Sequence, residues 1–249
     1  LKNVCLKYEE NTSMEVKALD DISLDIYNDE FIGIIGHTGS GKSSLVNLIP
    51  RLYDATQGEV LVDGVNVKDY DIEALRNKVG IVMQKAVLFK GTIRENMWMG
   101  KKGATDEQID EALEISQSKE FVDSKQGRLD YVIEQGGKNL SGGQRQRLTI
   151  ARAIVRKPDV LILDDSASAL DFATDAALRK AIRGMNNSPT VFIVSQRAAS
   201  LMYADLIIVL DDGQVAGMGT HDELLANCEV YKEIYESQFK KADSEGGVA

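Results

Sequence analysis

The segment Gly36–Ser43 has the sequence GHTGSGKS, and it lies between the apolar run Phe31–Ile35 and a stretch with helical spacing, Lys42–Leu52. Glycines let successive backbone N–H groups wrap an anion without Cβ clashes, and the start of the following helix adds partial positive charge. The Lys42 ammonium can reach the terminal phosphates of a nucleotide, and the Ser43 hydroxyl can bind Mg²⁺. The sequence therefore predicts a phosphate-binding loop, whose candidate residues are Gly36, Thr38, Gly39, Ser40, Gly41, Lys42, Ser43 and Ser44.

Several other short apolar runs alternate with helix-like stretches along the chain. They are continuously apolar, which is typical of strands buried on both faces of a parallel sheet. The segments between them, including Asp171–Met185, predict crossover helices. We therefore predict an α/β protein in which the phosphate-binding loop follows one strand of a mainly parallel sheet. The other predicted strands are Val79–Val82, Val160–Leu163, Val191–Val194 and Leu206–Leu210.

Two regions differ from this pattern. From about residue 86 to residue 157 the sequence becomes mostly helical, with a capping box at Thr105 and Gln108, and we predict an inserted helical subdomain there. Thr220 and Glu223 predict another capped helix near the C-terminus. The N-terminal region has short, partly alternating segments separated by turn residues, which indicate a small antiparallel β subdomain. Its predicted strands are Val4–Tyr8, Ile22–Ile26 and Glu59–Val62.

The composition narrows the class of protein. The formal net charge is −10, which argues against a nucleic-acid partner, because such binding depends on neutralising phosphates with Lys and Arg. No apolar run approaches the roughly 18–20 residues that span a bilayer, and the first residues lack the pattern of a signal peptide. We expect a transmembrane domain to be absent from this chain, residues 1–240 to form one domain, and residues 241–249 to be a flexible tail. Cys5 and Cys228 are interpreted as packing thiols.

The apolar run Val160–Leu163 is followed directly by Asp164. A carboxylate that follows a buried strand beside a phosphate-binding loop can hold the coordination shell of Mg²⁺. Asp164 is therefore a predicted metal residue, together with Ser43.

The segment Leu140–Gln144 has the sequence LSGGQ, and the residues after it, RQRLTIARA, have helical character. A serine and two glycines at a helix N-terminus form a second edge that can bind phosphate. Together with the loop and the Asp164 strand, this segment resembles the signature of the ABC ATPase family, and the resemblance covers practically the whole chain. It implies a nucleotide-binding domain whose ligands are ATP and Mg²⁺. The signature residues, expected to close on the ATP of an opposite subunit, are Leu140, Ser141, Gly142, Gly143 and Gln144.

The resemblance also assigns roles to residues outside these motifs. Tyr8 matches the aromatic residue that stacks on adenine, although a tyrosine in an edge strand can simply pack. Gln84 matches the glutamine that contacts Mg²⁺ and links the site to the membrane domain. The family's D-loop, which crosses to the other subunit, matches Ser168, Ala169, Leu170 and Asp171.

Two segments, Leu88–Asn96 and Gly219–Leu225, resemble the exporter branch of the family. This resemblance implies that the chain lies at the cytoplasmic face of a membrane and contacts a transmembrane domain through the region Gln84–Met99. Phe89 and Trp98 make that region unusually apolar. The alternative is that these side chains pack locally under the helical subdomain.

Two positions depart from the family pattern. Asp165 stands where the family has a glutamate that polarises the attacking water, and Gln196 stands where it has a histidine that contacts the γ-phosphate. The Asp165 side chain is shorter than glutamate by about 1.5 Å, and a misplacement of that size can cost about 10²-fold in rate. Gln196 can donate a hydrogen bond but cannot carry charge or transfer a proton. Either change alone can be neutral drift, but the pair predicts a catalytic site that is impaired in hydrolysis.

The signature segment, by contrast, is complete. Since it serves the ATP of the opposite subunit, we predict a heterodimer in which this chain's own site is slow and its signature completes the site of a different partner. Two alternatives stay open: a non-transport ABC module, and a regulatory ATP-binding module that dimerises without turnover. His37 and His221 are interpreted as non-catalytic.

Overall fold

The computed structural model describes residues 1–10, 12–166 and 169–245, with side chains described as far as residue 238. The strands are, in chain order, β1 (Lys2–Tyr8), β2 (Val16–Ile22), β3 (Phe31–Gly36), β4 (Gln57–Glu59), β5 (Leu61–Val62), β6 (Val65–Asn66), β7 (Val79–Val82), β8 (Gly91–Thr92), β9 (Val132–Ile133), β10 (Val160–Asp164), β11 (Thr190–Val194), β12 (Leu206–Asp211) and β13 (Gln214–Gly219). The helices are α1 (Lys42–Leu48), α2 (Ile72–Lys78), α3 (Ile93–Trp98), α4 (Asp106–Ile115), α5 (Lys119–Asp123), α6 (Gly142–Ile154), α7 (Phe172–Arg183), α8 (His221–Asn227) and α9 (Glu229–Glu245). The chain divides into two compact units, the first combining Leu1–Arg76 with Thr190–Ala249 and the second consisting of Asn77–Pro189.

The main sheet of the first unit is built around β3, in which every residue is buried. β3 pairs in parallel with β11 and with β12, and β13 continues the sheet antiparallel to β12. Helices α1 and α9 pack against this sheet. The strands predicted at 31–35, 191–194 and 206–210 are confirmed. Strands that are buried on both faces need continuously apolar sequences, and this is the signal that predicts them. The edge strand β13 was not predicted, since its side chains alternate in exposure and its glycines weaken the apolar signal.

A second sheet of the first unit is antiparallel, with the strand order β2, β1, β4. The prediction of a strand at Ile22–Ile26 is wrong, because β2 lies earlier in the sequence and ends at Ile22. Ile22 is paired with Val4 of β1. Just beyond this pair, the hydroxyl of Ser23, rather than a backbone carbonyl, accepts from the N–H of Asn3 at 2.9 Å. The regular ladder therefore stops where the sequence pattern suggested that it begins.

The predicted strand Glu59–Val62 is correct only in part. β4 ends at Glu59, and a new strand, β5, starts two residues later and forms a short antiparallel hairpin with β6. The N-terminal antiparallel region thus consists of a three-stranded sheet and a separate hairpin.

The second unit contains a parallel strand pair and a group of helices. β7 and β10 pair with Val79 opposite Val160 and Val82 opposite Leu163. Helix α6 packs against α3, α4 and β7. The segment 86–157, predicted to be a helical subdomain, contains α3 to α6 and the short antiparallel pair β8–β9. The fold is the predicted α/β class with mainly parallel strands.

Side-chain caps define the starts of several helices. The capping boxes predicted at Thr105 and Thr220 are confirmed at the starts of α4 and α8. The structure adds two more, at Thr92 before α3 and at Ser141 before α6. Among the residues that the structure describes, none of the helices combines the length and the apolar character needed to cross a bilayer.

Candidate nucleotide-binding site

The phosphate loop, Gly36–Ser44, leaves the end of β3 and enters α1, as the sequence predicts. Glycine is required where the loop approaches other strands closely. A Cβ on Gly36 would overlap the carbonyl oxygen of Leu210 in β12, and a Cβ on Gly41 would overlap the carbonyl oxygen of Ala18 in β2. Gly41 also has φ of 94°, a left-handed conformation that L side chains disfavour. The loop is therefore seated on two neighbouring strands in a way that larger residues would prevent.

Lys42 lies inside the curve of this loop. Its Nζ donates to the carbonyl oxygens of Gly36 at 2.8 Å and His37 at 2.6 Å, and to Ser40 Oγ at 3.2 Å. The residue is only 8% exposed, so its positive charge is concentrated at the loop rather than dispersed in solvent. Lys42 is also the first residue of α1, and its N-cap, Gly41, has no side chain that could accept from the first-turn N–H groups. A buried ammonium and helix N–H groups without a side-chain cap fit the phosphates of ATP.

Tyr8, the candidate adenine-stacking residue, ends β1 and reaches the phosphate loop. Its hydroxyl donates to Ser44 Oγ at 3.0 Å. Its ring makes an edge-to-face contact with Tyr53, with 5.3 Å between ring centroids. The structure therefore brings Tyr8 and Ser44 together, and it adds Tyr53 as an aromatic neighbour that the sequence motifs did not indicate. The stacking role of Tyr8 stays a prediction.

Gln196 follows β11 in the first unit, and its side chain is exposed. Its backbone carbonyl accepts from Nε2 of Gln238 at 2.7 Å. Gln238, a residue of α9, was not among the predicted site residues. No motif could have indicated it, because the group that it contacts belongs to the backbone, and a backbone contact requires no particular residue type at the contacted position.

In the second unit, Asp164 is the last residue of β10 and is 3% exposed. Asp165 follows with φ of 45°, a left-handed conformation that aspartate tolerates better than most residues. Gln84 donates from Nε2 to Asp165 Oδ2 at 3.0 Å. The structure thus joins the predicted metal-contacting glutamine to the carboxylate predicted to act on the attacking water. Since the amide nitrogen of Gln84 faces Asp165, its Oε1 is the atom suited to a cation.

The signature segment, Leu140–Gln144, starts helix α6. Ser141 Oγ accepts from the backbone N–H of Gln144 at 3.2 Å, and Gln144 Oε1 accepts from the N–H of Ser141 at 3.1 Å. Arg145 holds the approach to the helix by donating to the carbonyl of Leu140 at 2.7 Å. Leu140 is buried, whereas Ser141 and Gly142 are exposed. The serine and the first glycine are therefore presented to solvent on a capped helix start.

Ala169 of the D-loop lies beside this helix start. A Cβ added to Gly143 would come within 3.3 Å of the carbonyl oxygen of Ala169, so the two segments approach closely. Leu170 is buried, and Asp171 is the N-cap of α7, with its Oδ1 accepting from the N–H of Thr174 at 2.9 Å. Ser168 lies outside the described residues.

The predicted metal residues are Ser43, Gln84 and Asp164, which offer a hydroxyl, an amide oxygen and a carboxylate. Oxygen donors of these types suit Mg²⁺, which keeps several waters and binds through few protein groups together with phosphates. Within the described ranges, no group of three or more His, Cys, Asp or Glu side chains could hold a metal ion.

The class of protein follows from comparison with known families. Residues 19–168, more than half of the chain, match the family model described as ABC transporter, and the chain belongs to that family. The predicted ABC ATPase fold and ATPase class are confirmed.

Individual relatives show which members of this family the chain resembles. The chain is 44% identical over 244 residues to YfiB, an uncharacterized ABC transporter ATP-binding protein of Bacillus subtilis (strain 168), covering 98% of this chain and 42% of that protein. It is 38% identical over 238 residues to a Staphylococcus aureus (strain Mu50) protein that is named for multidrug export as an ATP-binding/permease protein, covering 96% of this chain and 41% of that protein. A solved structure of a bacterial Atm1-family ABC exporter with ATP bound matches with a TM-score of 0.89 and 31% identity, covering 95% of this chain and 41% of the other. The fold is that of an exporter's nucleotide-binding domain, and the chain spans 41–42% of the length of these relatives.

Proposed function

We propose that this chain is the ATP-binding motor domain of an ABC exporter, that its own site hydrolyses ATP poorly, and that its signature segment completes the active site of a different partner subunit. The observation that carries the proposal is the state of Asp165. Its carboxylate is one methylene shorter than the family's glutamate, and one of its oxygens accepts from Gln84 at 3.0 Å. A short carboxylate tied to a neighbouring amide is poorly suited to reach and polarise a water.

The residues for binding ATP are intact. The Lys42 ammonium and the N–H groups at the start of α1 would hold the phosphates, and Tyr8 would lie against the base. Ser43, Asp164 and Oε1 of Gln84 are the proposed ligands of Mg²⁺, which neutralises developing charge on the phosphates when it is bound. Gln196 would donate to the γ-phosphate, but it has no charge to contribute and cannot relay a proton. Binding without efficient hydrolysis is the expected result.

The signature segment supports a role toward another subunit. Ser141 and Gly142 are exposed at the N-terminus of the 13-residue helix α6, whose first N–H groups and partial positive charge suit a phosphate. The D-loop beside it would cross to the same partner. We infer a head-to-tail dimer with a second ABC nucleotide-binding domain on a different subunit.

Exposed apolar side chains support a membrane partner. Phe89 and Met99 are 51% and 53% exposed, and Val87 and Trp98 are exposed as well. Large apolar groups left in solvent on one short stretch commonly mark an interaction surface. We propose that the region Gln84–Met99 receives a transmembrane domain, which would locate this chain at the cytoplasmic face of a membrane. Multidrug-type export is the activity suggested by the name of the Staphylococcus aureus relative.

The second candidate function is a regulatory ATP-binding module that dimerises without turnover. The same pair, Asp165 and Gln196, favours it. The two functions differ in what happens when a partner domain with a complete catalytic glutamate is added: a motor domain gains hydrolysis, and a regulatory module gains none.

The test measures ATP hydrolysis by this chain alone and with such a partner domain. We expect slow turnover alone and at least about a tenfold increase with the partner, which the partner's own catalytic variant should remove. Brisk hydrolysis by the single chain that disappears in Ser141→Ala would contradict the proposal, because it would show a competent homodimer.

A further inference from the structure

The loop that follows β11 is held by a side chain from the C-terminal helix. Gln238 of α9 accepts at Oε1 from the N–H of Ala198 at 2.9 Å, and it donates from Nε2 to the carbonyl of Gln196 at 2.7 Å. A primary amide offers both a donor and an acceptor, so it can pair with a backbone segment much as a neighbouring peptide group would. The two hydrogen bonds span 40 and 42 positions of sequence, so they are tertiary contacts.

Local contacts fix the backbone on either side of Gln196. Ser195 Oγ accepts from the N–H of Arg197 at 3.0 Å. After it, Ala198–Ser200 forms a single 3₁₀ turn, in which the N–H of Leu201 donates to the carbonyl of Ala198 at 2.8 Å. The carbonyl of Gln196 is taken by Gln238. The peptide group after Gln196 is therefore oriented, and with it the direction in which the exposed Gln196 side chain leaves the loop.

Gln238 reaches the loop from a well-anchored face of α9. Tyr231, Ile234 and Gln238 are spaced i, i+3 and i+7, which places them on one face of the helix. Tyr231 and Ile234 are buried, and α9 packs against β3 and β12. β3 is the strand that leads into the phosphate loop. The position of Gln238 is thus set by the same sheet that carries the nucleotide-binding loop.

We propose that Gln238 is a positioning residue that orients Gln196 toward the γ-phosphate of ATP. This inference rests on the proposed function, in which Gln196 contacts that phosphate, whereas Gln238 acts through its two hydrogen bonds to the backbone of the loop. It links α9 to ATP binding, since a displacement of this helix would break both hydrogen bonds to the loop. Because ADP has no γ-phosphate, the contribution of Gln238 must favour ATP over ADP.

The experiment uses Gln238→Met, which keeps the length of the side chain and removes both amide hydrogen bonds. Ser237→Ala is the matched control, because the Ser237 hydroxyl donates to the carbonyl of Ile234 within the same helix. Affinities for Mg-ATP and Mg-ADP are measured by titration of the whole chain. We expect Gln238→Met to weaken ATP binding about 3–10-fold and to change ADP binding less than about twofold, with no change in the control. An equal loss for both nucleotides, or no loss for either, would overturn the inference.

A second arm repeats the change in a Gln196→Ala background. If Gln238 acts through the Gln196 side chain, the two variants are non-additive, and Gln238→Met causes no further loss of ATP preference there. A loss as large as in the parent overturns the inference. The arms also separate this inference from the proposed function. If Gln196→Ala lowers ATP preference while Gln238→Met does not, only the role of Gln238 fails. If Gln196→Ala has no effect, the γ-phosphate role of Gln196 fails, and the positioning role fails with it.

Discussion

Gln84 donates its side-chain amide to the carboxylate of Asp165, with 3.0 Å between Nε2 and Oδ2. Gln84 lies two residues after β7, and Asp165 directly follows β10. These two strands are parallel neighbours, so the residues that follow them meet at one edge of the sheet. The contact joins the residue proposed to connect the site with the membrane domain to the residue that stands at the position of the family's catalytic glutamate. A change at either position should therefore be felt at the other.

We expect Lys42→Ala to weaken ATP binding by at least about 100-fold, because its ammonium can donate to both terminal phosphates, and two such charged hydrogen bonds, at about 1.5–3 kcal/mol each, are worth about 3–6 kcal/mol. Lys68→Ala is the matched control, because it also removes a lysine whose Nζ donates to a backbone carbonyl. Its acceptor, the carbonyl of Ala55 at 3.2 Å, lies outside the phosphate loop. Isothermal titration with Mg-ATP reports the affinities, and thermal unfolding checks that both variants are folded. An unchanged affinity in Lys42→Ala would show that the phosphate site lies elsewhere.

Ser141→Ala should destabilise the chain modestly and remove the hydrolysis that this chain supports in a partner. Loss of an N-cap costs about 1 kcal/mol. Thr105→Ala removes an equivalent capping box at α4 and provides a control matched in stability. We expect both variants to lower the free energy of unfolding by similar amounts, but only Ser141→Ala to abolish partner-dependent turnover while leaving this chain's own ATP affinity intact. Equal turnover losses in the two variants would reduce the role of Ser141 to helix stability.

The sequence predicts the junction between β3 and α1 well, because several independent signals coincide there. At β3 and α1 an apolar run, a glycine-rich loop and a helical pattern follow one another, and each fixes the boundary of the next. In β2 the only signal was the alternation of Ile22, Leu24 and Ile26, which does not define where the strand is paired. The ladder instead runs from Val16 to Ile22, and Ser23 then interrupts it with its hydroxyl.

The residues of the candidate site also divide into those that the sequence predicts and those that only the structure reveals. Residues proposed to bind through their side chains, such as Lys42 and Asp164, are recognisable because the chemistry demands a residue type at a fixed spacing. The contact of Gln84 with Asp165 depends on strand order, which no local pattern encodes. Gln238 contacts backbone groups 40 or more positions away, so only the folded chain reveals its partners.

The phenol of Tyr231 gives a prediction for the dependence of stability on pH. This residue is fully buried, and its hydroxyl lies 2.8 Å from Nδ1 of His221. Burial raises the pKa of Tyr231 from 10.0 to about 12, with smaller contributions from Tyr235 and Asp222. The pKa in the folded state is above that in the unfolded state, so the folded state favours the protonated phenol. This contribution to the free energy of unfolding is complete below pH 10 and is lost as the pH rises toward 12.

The measurement compares Tyr231→Phe with the parent chain by urea unfolding at several pH values from 8 to 11.5. We expect the variant to be less stable at pH 8 by about 1 kcal/mol, since it lacks the hydrogen bond to His221. The difference between the two proteins should shrink above pH 10. Tyr27→Phe, which alters a tyrosine that is 70% exposed, should show no such convergence. A difference that stays constant across the range would show that Tyr231 has the same pKa in both states.

The relationship between Gln84 and Asp165 leads to the sharpest test of the proposed impairment in hydrolysis. If Asp165 and Gln196 cause the defect, Asp165→Glu combined with Gln196→His should restore hydrolysis in this chain's own site. The longer carboxylate regains about 1.5 Å of reach, and groups that move protons typically contribute about 10²–10⁴-fold to rate. This corresponds to about 3–5 kcal/mol of barrier.

The rescue is best measured in the proposed heterodimer with the partner's catalytic glutamate disabled, so that any recovered hydrolysis arises in this chain's site. Asp165→Asn combined with Gln196→His is the control, because it supplies the imidazole without a carboxylate and should recover nothing. We expect the two changes to be non-additive, since a positioned water helps little when the γ-phosphate contacts are wrong, and the reverse also holds. A double variant that binds ATP as the parent does, yet hydrolyses it as slowly, would show that these two residues do not cause the defect. The asymmetry would then have to originate in the partner's signature segment or in the geometry of the dimer.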